Sequence, residues 1–143
     1  RYFDDRLRDL DGAFTLAMLD LDHFKHINDT YGHLAGDAAL SRAAQAIRSA
    51  IRTGDELVRY GGDEFLLLFH DMPRNALKKK LESIRAAVEN LEFPEYPGLR
   101  ITVSIGGAHA VGPLADTVQK ADHALYHAKA AKNRTVLYKE DLQ

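Results

Sequence analysis

Two short acidic clusters carry the chemistry this chain can do. Asp20-Leu21-Asp22-His23-Phe24-Lys25 closes an apolar run that begins at Phe14, and Gly61-Gly62-Asp63-Glu64 separates two further apolar runs. Carboxylates two residues apart on a strand point the same way. With the Leu21 backbone carbonyl between them they can offer oxygen ligands to a hard cation such as Mg²⁺. The same pair also suits a solvated loop end, or Asp22 as a helix N-cap. In the second cluster, adjacent glycines allow the positive φ of a tight turn and let a large ligand approach the backbone. The two acids after them concentrate negative charge, which is unfavourable until a cation or a proton arrives. A plain hairpin turn is the other reading of that cluster.

Taken together the clusters say more. A carboxylate at a strand end and another on a neighbouring hairpin are what a Mg²⁺–nucleotide site needs, because the metal neutralises phosphate charge and orients an in-line displacement. Lys25 is then placed for a terminal phosphate, and a helix starting near Phe24 can offer free N–H groups to the same anion. Between there and the next helix, Asn28, Thr30, Tyr31, Gly32, Gly36 and Asp37 form a polar, glycine-interrupted stretch. Asp37 is placed to N-cap that helix. Alternatively, an amide and a carboxylate there can read the donor and acceptor edge of guanine.

Periodicity supplies the elements that must hold these groups. Phe14–Asp20 reads as a buried strand after an Asp11-Gly12 turn, and a short helix is expected around Phe24–Asp29. Leu40, Ala43, Ala44, Ile47 and Ile51 share one helical face, with a stop near Thr53-Gly54. Glu56–Tyr60 and Phe65–His70 form a hairpin around the second acidic cluster. Pro73 opens a helix marked by Leu77, Leu81, Ile84, Val88 and Leu91. A proline-broken loop, a strand over Arg100–Ala108, a helix through Leu114, Val118, Ala121, Leu125 and Ala128, and a short strand over Thr135–Tyr138 complete the order. One hairpin among helical crossovers implies an α/β (α+β) fold with a mostly antiparallel or mixed sheet.

Composition bounds what such a fold can do. A chain of 143 residues with 45% hydrophobic and 28% charged residues is one domain with a real core. It begins at Arg1, directly inside an apparent helix, and is read as part of a longer multidomain protein. The net charge of -2 provides no basic field for nucleic acid or a membrane surface. With no cysteine, thiolate metal sites and cysteine nucleophiles are excluded, and a reducing compartment, the cytoplasm, is expected even if the parent protein is membrane-anchored. Its 7 histidines show no i, i+4 pairing with a nearby acid on one helix face, so no zinc site is assigned.

Four segments, in order and with matching spacing, resemble the GGDEF domain of bacterial diguanylate cyclases. They are Asp20-Leu-Asp-His-Phe-Lys-His-Ile-Asn-Asp-Thr-Tyr-Gly-His-Leu-Ala-Gly-Asp37, Arg59-Tyr-Gly-Gly-Asp-Glu-Phe65, Val103-Ser-Ile-Gly106 and Ala121-Asp-His-Ala-Leu-Tyr-His-Ala-Lys129. The resemblance spans nearly the whole chain, residues 1–143 forming a single domain of this kind. It implies a palm-like nucleotide-cyclase fold with a central five-stranded sheet flanked by helices. It further implies a nucleotidyltransferase that condenses two GTP into the second messenger cyclic di-GMP, releasing two pyrophosphates. By position, Asp20, the Leu21 carbonyl and Asp63 would bind Mg²⁺, with Mn²⁺ able to substitute. Glu64 would be a further metal ligand or help deprotonate the 3′-hydroxyl. Gly61 and Gly62 would border the substrate, Asn28 and Asp37 would read guanine, and Phe24, Lys25 and Lys129 would contact phosphates.

Two phosphodiester bonds, each between two nucleotides, require two domains facing each other as a homodimer. Arg52-Thr-Gly-Asp55 resembles the family's RxxD site for inhibition by product; by itself it reads as a surface ion pair of little weight. Two features depart from the pattern. The family's A-K-x-x-G-[RK]-N becomes Ala128-Lys-Ala-Ala-Lys-Asn133, shorter by one residue and without the glycine, which leaves Lys132 and Arg134 as alternatives for a second phosphate cation. The D-x-L-T segment that normally precedes the Arg1-Tyr2-Phe3 position is absent from this sequence. A non-catalytic module that binds GTP or cyclic di-GMP and relays a signal is the rival reading. It is disfavoured because Asp20, Asp63 and Glu64 all stand.

Overall fold

Apolar residues alternating along one strand organise both layers of the structure, a computed structural model that describes residues 14–109 and 113–139. The strand is β1 (Thr15–Leu21), and the helix expected at Arg1 and the turn expected at Asp11-Gly12 lie outside the described residues. It is followed by α1 (Phe24–Tyr31), α2 (His33–Ser49), β2 (Glu56–Arg59) and β3 (Glu64–Phe69). A 3₁₀ turn at Arg74–Ala76 leads into α3 (Leu77–Glu89), then β4 (Val103–Ala108), α4 (Leu114–Ala131) and β5 (Thr135–Leu137).

The five strands lie in the order β2-β3-β1-β4-β5. All pairings are antiparallel except β4 with β5, so the sheet is mostly antiparallel with one parallel edge pair, as expected. Ala17, Leu19 and Leu21 pack with residues of α2 and α3 on one face; Leu16 and Met18 pack with Ala121 and Leu125 of α4 on the other. Strand period two therefore carries Asp20 and Asp22 onto the α4 face.

Gly106 explains how close α4 can come. A Cβ there would lie 2.2 Å from the Leu125 backbone nitrogen and 2.4 Å from the Ala121 carbonyl oxygen. The missing side chain seats α4 directly on β4, and that contact carries the Lys129 end of α4 over the acidic end of β1.

Several boundaries differ from the sequence reading, each for a local reason. Helix α2 starts at His33, after Gly32 turns the chain at φ 93, so Asp37 lies inside the helix and is not its N-cap. The helix stops at Ser49, and Ile51 packs from the loop beyond it. Leu91 likewise lies past the end of α3, while β4 begins only at Val103. Asp22 is not an N-cap either: His23 takes that place for α1 at φ 58, and no side chain caps the helix.

Candidate active site

Register places the acids together. Asp20 on β1 lies directly opposite Glu64 on β3, and Leu21 N–H donates to the Asp63 carbonyl at 3.0 Å. The turn is closed by Tyr60 and Gly61 N–H, which both donate to the Glu64 carbonyl, at 2.9 and 3.3 Å. Arg59 clasps it from outside, donating from Nε to the Gly61 carbonyl at 3.1 Å and from Nη2 to the Gly62 carbonyl at 2.7 Å. Sequence reasoning passed over Arg59. The signal available was an arginine two residues before a Gly-Gly turn, within reach of its backbone carbonyls.

The glycines act differently from expectation. Among the described residues positive φ occurs in glycine only at Gly32, Gly54 and Gly98, so neither Gly61 nor Gly62 supplies it. A Cβ on Gly61 would come 2.6 Å from Glu64 Oε1, so a larger residue there would have to displace the Glu64 carboxylate. The space beside Gly62 is open.

Like charges directly opposite on paired strands repel, and burial adds to the cost of charging both carboxyls. Burial pushes the Asp20 carboxyl up to about 7; Lys129 opposes this, and Asp63 and Glu64 add to it. Burial likewise raises Glu64, helped by Asp63 and Asp122 and opposed by Lys129. Asp20 Oδ1 is buried with no hydrogen-bond partner. These features fit a divalent cation: an acidic pair short of positive charge, with one oxygen unpaired. Among the described residues no three acidic or histidine side chains converge into a metal cage. That suits Mg²⁺, which is usually held by one or two carboxylates together with substrate phosphates. His123 and His127 do share a face of α4 in edge-to-face contact at 4.9 Å, but without a third ligand.

Asp22 behaves unlike its neighbour. It does not face a cation: its Oδ1 accepts from Ser104 Oγ at 2.6 Å and Lys129 Nζ at 3.0 Å, and its Oδ2 from Thr102 Oγ1 at 2.7 Å and Asn133 N–H at 2.8 Å. Burial alone would raise its carboxyl, but these hydrogen bonds outweigh burial and hold it below the usual range. The sequence reading of Asp22 as a cation ligand or cap is thus replaced by a fully satisfied buried anchor. Lys129, 3.5 Å from Asp20 Oδ2, is shared between the two aspartates.

Around this centre the remaining candidates fall into three groups. Phe24 packs partly buried on the core and Lys25 is exposed beside it, at the uncapped start of α1. Asn28 leans over the start of α2, where a Cβ on Gly36 would fall 1.7 Å from Asn28 Oδ1. Asp37, next in sequence, opens onto a cavity of ≈ 440 Å³ between α2 and the hairpin, bordered also by Leu40, Arg59 and Phe65. Arg52 and Asp55 lie apart from the acids. Asp55 is no simple surface partner: its side chain is 2% exposed, accepting from Arg52 N–H and His70 N–H at 3.1 Å each. The Arg52 guanidinium is 59% exposed and donates to the His70 carbonyl at 2.8 Å. Of the two alternatives near the end of α4, Lys132 folds back to donate to the Lys129 carbonyl at 3.3 Å, whereas Arg134 is exposed and borders a polar cavity with Lys78 and Arg85.

Comparison with known proteins meets this geometry. The family described as "Diguanylate cyclase, GGDEF domain" matches residues 3–135. Diguanylate cyclase A of Treponema denticola is 39% identical over 136 residues, covering 91% of this chain and 36% of that protein. Diguanylate cyclase DgcM of Escherichia coli is 40% identical over 126 residues, covering 87% of this chain and 30% of that one. The chain thus spans about a third of the length of these curated relatives. Among solved structures, the GGDEF domain of DgcB from Caulobacter crescentus in complex with c-di-GMP superposes with a TM-score of 0.85 at 32% identity, covering 96% of this chain and 88% of that one. With the acidic turn, the strand order and the sequence profile in agreement, the chain belongs to the GGDEF-domain family of diguanylate cyclases.

Proposed function

We propose that this domain condenses two GTP molecules into cyclic di-GMP with release of two pyrophosphates, acting as one half of a symmetric pair of domains. The observation that carries the reading is the Asp20–Glu64 register pair with its unpaired Asp20 oxygen, locked to the Asp63 turn by the Leu21 hydrogen bond. Asp20, the Leu21 carbonyl and Asp63 hold Mg²⁺ or Mn²⁺, with Glu64 as a further ligand or as proton acceptor. A bound Mg²⁺ supplies charge neutralisation at the triphosphate. Asn28 and Asp37 orient guanine at the α1–α2 corner. Phe24, through its backbone, Lys25 and Lys129 hold the phosphates, while the small Gly61-Gly62 edge admits the nucleotide.

The bond changes are simple to state. The 3′-oxygen of each GTP attacks the α-phosphorus of the other, the bond from that phosphorus to the β-phosphate oxygen breaks, and pyrophosphate leaves with the electron pair. The hydroxyl proton needs an acceptor. Burial and neighbouring acids raise the proton affinity of Glu64, which suits it to that task. Because each nucleotide is both nucleophile and electrophile, the two domains must present them face to face.

Chromatography of nucleotides after incubating the chain, fused to a dimerising coiled coil, with GTP and Mg²⁺ tests the reading. Cyclic di-GMP is expected, and its formation should fall by at least about a hundredfold in Asp63→Asn, as loss of a ligand charge predicts. Intact GTP from a folded, paired domain would replace this reading with that of a GTP- or cyclic di-GMP-binding module. In the same assay, added cyclic di-GMP should slow the wild type and not Arg52→Ala, if Arg52 and Asp55 form the inhibitory product site; equal slowing of both removes that role.

A further inference from the structure

The geometry points to Asp22 as a positioning residue whose carboxylate keeps the Lys129 ammonium at the acidic site, facing bound triphosphate, when Asp20 turns to a cation. This rests on the cyclase reading above. Lys129 Nζ lies 3.0 Å from Asp22 Oδ1 and 3.5 Å from Asp20 Oδ2. The two aspartates differ in freedom. Asp20 is 20% exposed in its side chain and has an oxygen without a donor, so it can accept a new partner. Asp22 is 0% exposed in its side chain and its other three donors, Ser104, Thr102 and Asn133, fix it in place. Once Asp20 is engaged elsewhere, Asp22 is the carboxylate still hydrogen-bonded to a flexible lysine stem that would otherwise wander into water. An ammonium carries three donors, so the bond to Asp22 leaves others for an anionic ligand.

The hydrogen-bond pattern requires a carboxylate there and not merely a polar group of the same shape. Each Asp22 oxygen takes one hydroxyl and one donor that can never accept: Ser104 with the Lys129 ammonium, Thr102 with the Asn133 peptide N–H. A hydroxyl can rotate and accept from an amide; an ammonium or a peptide N–H cannot. An asparagine must therefore turn its NH₂ toward one of them. One orientation repels Lys129. The other strips Asn133 of its acceptor and loosens the turn between α4 and β5, just beyond Lys129.

The test measures binding apart from turnover. Calorimetric affinity of the full chain for 3′-deoxy-GTP with Mg²⁺, a nucleotide that cannot cyclise, is compared in wild type, Asp22→Asn, Lys129→Met and the double variant. Each single change should weaken binding about tenfold, the range of one charge-assisted hydrogen bond. The double variant should be no weaker than Lys129→Met, because Asp22 acts through Lys129. Additive losses, or unchanged affinity in Asp22→Asn, overturn the assignment. Should Asp22→Asn fail to fold, Ser104→Ala removes one donor from the oxygen that Lys129 shares. Its loss of about two- to threefold should appear only when Lys129 is present, and equal loss in both backgrounds overturns the proposal. The cyclase reading is separable: coupled nucleotide binding without cyclic di-GMP from GTP overturns that reading alone, additive losses with cyclic di-GMP formed overturn this one alone, and a wild type that binds no nucleotide overturns both.

Discussion

A proton competes with any cation for the Asp20 carboxyl. That carboxyl stands at about 7 in the fold against an ordinary 3.8, raised first by burial. A folded value above the unfolded one means that the charged form is disfavoured by folding; that penalty is absent below about pH 4 and complete above about pH 7. The domain without metal should therefore lose stability from this group as pH rises through that window. Metal affinity should move the opposite way, weakening about tenfold between pH 8 and pH 6 as the proton competes. Thermal melts with and without Mg²⁺ across this range check it. Asp20→Asn should flatten both trends, and a pH-independent Mg²⁺ shift in the wild type would remove Asp20 from the metal site. Asp22, two residues on, contributes in the reverse sense, since its carboxyl is held low by its four donors.

At the scale of elements, the turn between α4 and β5 carries a cost that its sequence makes visible. Lys132 closes α4 with φ 63 and ψ 159, a conformation that is essentially glycine's own. Lys132→Gly should stabilise the domain by ~1 kcal/mol after allowing for glycine's greater unfolded-state freedom, read as a higher urea midpoint at unchanged slope. An unchanged or lower midpoint would mean that the Lys132 side chain contributes more than its backbone costs. This position is legible in the sequence, because the family's glycine is absent there. The strands and long helices were equally legible, since period two in β1 and the four-and-three spacing in α3 report their buried faces directly. Boundaries set by single torsions were not: Gly32 starts α2 ahead of Asp37, which periodicity cannot see. Asp22 was illegible for another reason. Its donors come from the far half of the chain, so nothing within its own motif distinguishes it from Asp20.

The whole domain places β1 at the centre of the sheet, with its acidic residues at the end of the strand. If each domain brings one GTP, untethered chains at concentrations well below the dissociation constant of their pair should show a second-order rate. Doubling the concentration should raise the initial rate of cyclic di-GMP formation about fourfold. A merely doubled rate at every concentration would point to catalysis within one chain or a permanent pair. The Asp22 hub also sets a timetable. Its partners Thr102, Ser104, Lys129 and Asn133 stand 80, 82, 107 and 111 residues farther along the chain. During synthesis from the N-terminus, β1 can meet β3 and set Asp20 against Glu64 while the segment that supplies Lys129 is still unmade. The acid pair is thus the half of the site that can be born first, and its cationic counterpart arrives only with α4, so a nascent domain cannot be complete for phosphate until that helix has been made.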